Sequence, residues 1–149
     1  MSRSSTRTAT GFESATTHVD SDWWQAIAVA GVFFVLAYVV GLFLFVTVFA
    51  SFLFGAAAGG PPELFVGGFG LLFVFVSLFV LVGVVLSLLL PVALYLDAKA
   101  VDEANVGWHP DPTLYAIVGV VGLFAQGLPV QPAVAFYYLY KRRQAVGTP

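Results

Sequence analysis

No Asp, Glu, Lys, Arg or His occurs from Trp23 to Phe54, from Leu64 to Leu96 or from Leu114 to Tyr140. Each stretch is longer than the ~20 apolar residues a helix needs to cross the hydrocarbon core of a bilayer. Three such runs predict an all-α integral membrane protein, a bundle of three transmembrane helices over about 23–54, 64–96 and 113–140. The first two runs would make straight helices of roughly 48–50 Å against about 30 Å of hydrocarbon, so they must tilt or carry their Gly-rich ends into the interface.

Composition agrees. At 149 residues, 60% hydrophobic and only 9% charged, the chain is too apolar for a soluble domain of its size. Residues 1–21 are rich in Ser and Thr and read as a disordered polar tail. Residues 22–143 form the transmembrane domain and 144–149 a short tail. The first run is too long for a signal peptide, and Glu13, Asp20 and Asp22 separate it from Arg3 and Arg7, so it is expected to stay in the mature protein. The absence of cysteine excludes disulfides and thiolate chemistry, and the few basic residues make no nucleic-acid patch.

Local signals place the helix ends. Asp22 with Gln25 three residues on has capping-box spacing, and Trp23 and Trp24 suit the headgroup boundary. Gly55 to Pro62 stops the first helix, and the second is expected to begin near Gly67-Gly68-Phe69-Gly70. Pro91 should bend it by freeing the Ser87 carbonyl. Beyond Tyr95 the Ala-rich, mixed-charge stretch from Asp97 to Asn105 favours two further turns outside the membrane, with Lys99 pairing to Asp102 or Glu103. Asp111 as cap and Pro112 as first helical residue open the third helix.

With three spans, the N-terminal tail and the 97–112 loop share one side, and the C-terminal tail takes the other. Lys and Arg are then tied, three on each side. Lys141, Arg142 and Arg143 abut a span while Arg3 and Arg7 do not, which puts the C-terminus in the cytoplasm and the N-terminus outside.

Two places could carry chemistry. Asp97, Asp102, Glu103, His109 and Asp111 gather carboxylates and an imidazole, but at no zinc or calcium spacing. They are expected to be solvated helix-end and turn charges, with no metal, cofactor or catalytic group among them. Gln126, Gly127, Pro129 and Gln131, with Pro132, fall almost at the midpoint of the third run. Pro129 and Pro132 free the carbonyls of Ala125 and Leu128, so the third helix is expected to be kinked. The glutamines either hydrogen-bond to a neighbouring helix or line a path for a polar solute. Ala37 with Gly41, Gly83 with Ser87, and Gly119 with Gly122 and Gln126 supply small-residue faces for close helix packing.

From Pro91 to Arg143 the chain carries Tyr95-Leu96-Asp97-Ala98-Lys99-Ala100-Val101 with Glu103, then the turn Trp108-His109-Pro110-Asp111-Pro112, then Tyr138-Leu139-Tyr140 followed by Lys141-Arg142-Arg143. This pattern resembles small multi-pass membrane proteins of halophilic archaea. That group has no assigned activity, so the resemblance implies a cell-membrane location and marks Asp97, Lys99, Trp108 and Pro112 as positions to test. The functional expectation is a non-enzymatic bundle, a scaffold or subunit of a membrane assembly. Its partners would be the lipid bilayer and a second copy or another membrane protein, with no nucleic acid. The alternative is a small transporter or channel subunit using the broken third helix, against which stands the lack of an ionisable group inside any run.

Overall fold

The structure is a computed structural model, and it describes residues 19–58, 62–125 and 128–147. Residues 1–18 of the polar tail, Gln126 and Gly127 lie outside the described residues; the end of that tail is not disordered as expected, since Val19 is buried and the Ser21 hydroxyl donates to Asp97. Four helices follow in order: α1 (Trp23–Ala58), α2 (Pro62–Glu103), α3 (Pro112–Phe124) and α4 (Val130–Val146). Among the described residues there is no strand.

α1 and α2, of 36 and 42 residues, reach about 54 and 63 Å at 1.5 Å per residue. Both are long and apolar enough to cross a membrane, and only 6% of each apolar window is buried inside the fold. A core helix of a soluble protein would hide such a surface; here it faces outward, as a lipid-exposed helix does. α2 begins at Pro62, before the expected Gly67–Gly70, because Pro suits the first helical position, where no backbone donor is needed. It also runs without interruption through Pro91. As expected, the helix continues past Tyr95 to Glu103, where Lys99 sits 3.9 Å from Glu103.

The third apolar run departs most from expectation. It is not one kinked rod of 27 residues but two helices of 13 and 17 residues joined at 125–129. Neither is long enough to cross. The helices fold back on each other as an antiparallel hairpin. The Tyr115 and Tyr138 rings meet at 4.9 Å near its open end. Toward its tip a Cβ on Gly122 would come within 2.7 Å of Gln131 Cγ. The break is bounded by Ala125, which closes α3 with its N–H bonding to the Val121 carbonyl, and by Pro129, which stands just before α4 and has no N–H to give a helix. Leu128 N–H bonds to the Ala125 carbonyl and Val130 N–H to the Leu128 carbonyl, so the tip satisfies much of its own backbone.

The hairpin packs into the angle between the long helices. α3 lies on α2, where a Cβ on Gly119 would come within 3.0 Å of Pro91 Cα. α4 runs antiparallel to α1: Trp24 meets Arg142, Gly31 meets Ala135, and the Tyr38 hydroxyl donates to the Leu128 carbonyl at 2.7 Å. The core therefore sits at one end, where α1 begins and α2 and α4 end. It is built from Ile27, Ala30 and Phe34 of α1, Leu90, Ala93, Leu94 and Ala98 of α2, and Ala135 and Tyr138 of α4. Below the hairpin tip α1 and α2 continue with no third helix among the described residues. Phe43, Phe45, Phe49, Phe52 and Phe54 on α1 and Phe73 and Phe75 on α2 are all exposed there.

Candidate functional site

The chemistry collects at the core end. Asp97 stands one residue beyond the apolar run of α2, and its side chain is fully buried, with 0% exposure. It is therefore not the solvated helix-end charge that the sequence suggests. Three donors converge on it: Arg142 Nε at 2.9 Å and the Tyr138 hydroxyl at 2.8 Å on Oδ2, and the Ser21 hydroxyl at 2.6 Å on Oδ1. Arg142 is itself 4% exposed; it reaches the Ser21 carbonyl at 3.4 Å and lies 5.8 Å over the Trp24 ring. A buried carboxylate needs a paired charge and hydrogen bonds on its remaining lone pairs, and this cluster supplies both.

Helical periodicity delivers each member. Gln131, Ala135, Tyr138 and Arg142 recur at four, three and four residues along the buried face of α4, so the arginine shares the stripe of the core side chains. Leu90, Ala93, Leu94, Asp97, Ala98 and Val101 do the same on α2. Trp108 and Tyr115 close over Tyr138 with ring centroids 5.6 and 4.9 Å away, which fixes the phenol toward Asp97. The arrangement joins the start of α1, the end of α2 and the end of α4. It offers no free base or nucleophile, since every charge within it is engaged. Its chemical role is to fasten three helix ends.

The remaining loop groups behave as the sequence leads one to expect. His109 Nδ1 lies 3.0 Å from Asp102 Oδ1, with both side chains about half exposed, so the contact contributes less than about 1 kcal/mol. Lys99 and Glu103 are similarly open. Asp111 caps α3 by accepting from the N–H groups of Thr113 and Leu114, with Pro112 at the first turn. Among the described residues no group of three or more His, Cys, Asp or Glu is placed to hold a metal. Of the positions marked in advance, Asp97 belongs to the cluster, Trp108 covers it, Pro112 starts α3 and Lys99 stands outside. The residue that sequence reasoning missed is Arg142, read only as one of three basic residues at a span end.

A second, weaker constellation lies at the hairpin tip. Gln126 and Gly127 fall outside the described residues, and Pro129 sits at the entry to α4. Gln131 is 8% exposed, with Oε1 3.4 Å from the Ser87 hydroxyl. It is the one buried side chain among the described residues with a polar atom, Nε2, that lacks a hydrogen-bond partner. Gln131 and Ser87 border a groove of about 390 Å³ between α1, α2 and the tip.

Comparison of the chain with family models, with curated proteins and with solved structures finds no match in any of the three.

Proposed function

We propose that this chain is a two-span integral membrane protein carrying a re-entrant helical hairpin, and that it works as a non-enzymatic scaffold or subunit of a membrane assembly. The observation that carries the reading is the cluster around Asp97. It spends the bundle's buried charges on holding α1, α2 and α4 together at one end, and leaves none for proton or ion transfer. The other half of α1 and α2 presents bare aromatic and aliphatic faces, which suit contact with lipid and with a neighbouring membrane protein or a second copy.

The hairpin changes the expected topology. If the third run re-enters and returns, the N-terminal segment, the 104–111 turn and the C-terminal segment share one side. Arg3 and Arg7 precede α1, Lys99 is near the end of α2, and Lys141, Arg142 and Arg143 are near the end of α4. The three-to-three tie in basic residues then becomes six against none, since the connection between α1 and α2 has Glu63 beside it and no Lys or Arg. By the positive-inside rule both termini are cytoplasmic, in a multi-pass protein of the cell membrane.

The assembly role is testable because the chain has no native cysteine. Phe52→Cys or Phe73→Cys, oxidised in native membranes, should give one discrete crosslinked species, either a doubled chain or a single heavier partner. Crosslinks to no protein at either position would contradict the subunit reading. A solute flux through vesicles of the unmodified protein, abolished by Gln131→Leu, would favour the transporter alternative.

A further inference from the structure

We propose that the outward face of α4, near its C-terminal end, is a contact surface for anionic phospholipid headgroups, held by Lys141 and Arg143. The proposal rests on the bilayer placement above and is independent of the assembly role.

Three observations carry it. First, burial splits the basic run at the end of α4. Arg142 turns into the core and is spent on Asp97 at 2.9 Å, whereas Arg143 is exposed and Lys141 half-buried. Lys99 has Glu103 beside it. Among the described residues, Lys141 and Arg143 are therefore the two Lys or Arg side chains with no acidic partner. Second, no acid dilutes this face. α4 carries no Asp or Glu from Val130 to Val146. Asp102 lies against His109, and Asp111 is engaged in capping α3. Asp20 and Asp22 flank Ser21, whose carbonyl accepts from Arg142, so they belong to the buried side of α4.

Third, aromatic residues set the depth. Trp23 and Trp24 open α1, Tyr95 stands two turns before the end of α2, and Tyr137 and Tyr140 are exposed on α4. No Trp or Tyr occurs from Val39 to Leu94. Indole and phenol rings collect where headgroups meet acyl chains, which puts this end of the bundle at that level. Tyr137 lies one helical turn before Lys141 and Tyr140 one turn before Arg143, so both cations stand at headgroup height.

These features fix the partner's chemistry. Two unanswered cations at that height call for a phosphate whose charge is not already balanced. A zwitterionic lipid brings its own ammonium group, whereas an anionic lipid does not. The cytoplasmic leaflet, where the positive-inside rule places this end, is the one that presents anionic headgroups.

Phosphatidylglycerol and phosphatidylcholine with matched acyl chains, each carrying a nitroxide high on the chain as a short-range quencher, separate charge recognition from general lipid contact. A fluorophore on Phe136→Cys reports from this face, one turn before Tyr140. A second on Val92→Cys reports from α2, two turns before Lys99, whose charge Glu103 already answers. In phosphatidylcholine vesicles at low salt, the labelled phosphatidylglycerol should associate beside Phe136→Cys about fivefold more strongly than the labelled phosphatidylcholine, the effect of one basic residue at the surface. No preference is expected beside Val92→Cys. Lys141→Gln combined with Arg143→Gln should bring the two lipids to equal association beside Phe136→Cys without loss of helical signal. About 1 M salt, where the screening length falls to ~3 Å, should do the same to the chain with both cations, and it tests the contact even if the double variant fails to fold. Equal association of the two lipids beside Phe136→Cys at low salt, a preference that survives the double variant or high salt, or an equal preference beside Val92→Cys would each overturn the proposal. None of these results bears on which side of the membrane each segment occupies or on whether the chain forms crosslinked assemblies.

Discussion

Asp97→Ala should lower the stability of the bundle by about 3–5 kcal/mol, the largest loss expected from any single substitution in this chain. Arg142 would be left 4% exposed with no carboxylate, and the Tyr138 and Ser21 hydroxyls would lose their acceptor. Arg142→Leu should cost a similar amount for the mirrored reason. The double variant Asp97→Ala, Arg142→Leu should recover most of either loss, because removing a whole buried pair removes its desolvation cost as well. A double-mutant cycle read by loss of helical signal during detergent unfolding measures this. Additive losses would mean that the two residues do not interact, and that α4 does not end against α2.

The second large effect is expected at Gly119. A Cβ there would lie 3.0 Å from Pro91 Cα and 3.2 Å from its Cβ and Cγ, and backbone cannot swing aside as a long side chain can. Gly119→Leu should push α3 off α2 and cost about 1–3 kcal/mol through overpacking. Gly41→Leu is the control: its Cβ meets nothing within 4 Å, so the same change should leave stability nearly unaltered. Equal tolerance at the two glycines would show that α3 does not seat on Pro91.

These two sites also mark what the sequence makes legible and what it hides. The start of α1 at Trp23, the extension of α2 past Tyr95 and the Asp111–Pro112 start of α3 all follow from local signals of charge, cap and turn chemistry. Gly119 and Gly122 do form a close-packing face, against Pro91 and Gln131. The fold-back of the third run was not legible by the same means. A turn in water announces itself by charges and polar side chains, whereas a turn among apolar surroundings is built from the residues of a span. Pro129 and Pro132 predict a break without telling whether the chain bends or reverses.

Length misled as well. About 27 apolar residues suit one crossing, and they suit equally two short helices that each go part of the way. The usable signal was electrostatic. Asp97 and Arg142 each stand just past an apolar run, with opposite charge, and a pair formed between them requires both ends on one side. Without the contact, each reads as an ordinary helix-end charge. Burial, which the sequence does not give, is what separates Asp97 from the exposed Asp102.

Sidedness tests the central claim most directly. The chain without native cysteine accepts single reporters at Asn105→Cys, in the turn before α3, and at Gln144→Cys, in the last turn of α4, both at exposed positions. A third reporter, Gly60→Cys, falls between α1 and α2. In intact cells a membrane-impermeant thiol reagent should label Gly60→Cys alone, and in inverted vesicles it should label Asn105→Cys and Gln144→Cys together. Labelling of Asn105→Cys and Gln144→Cys from opposite sides would contradict the hairpin and restore a third span.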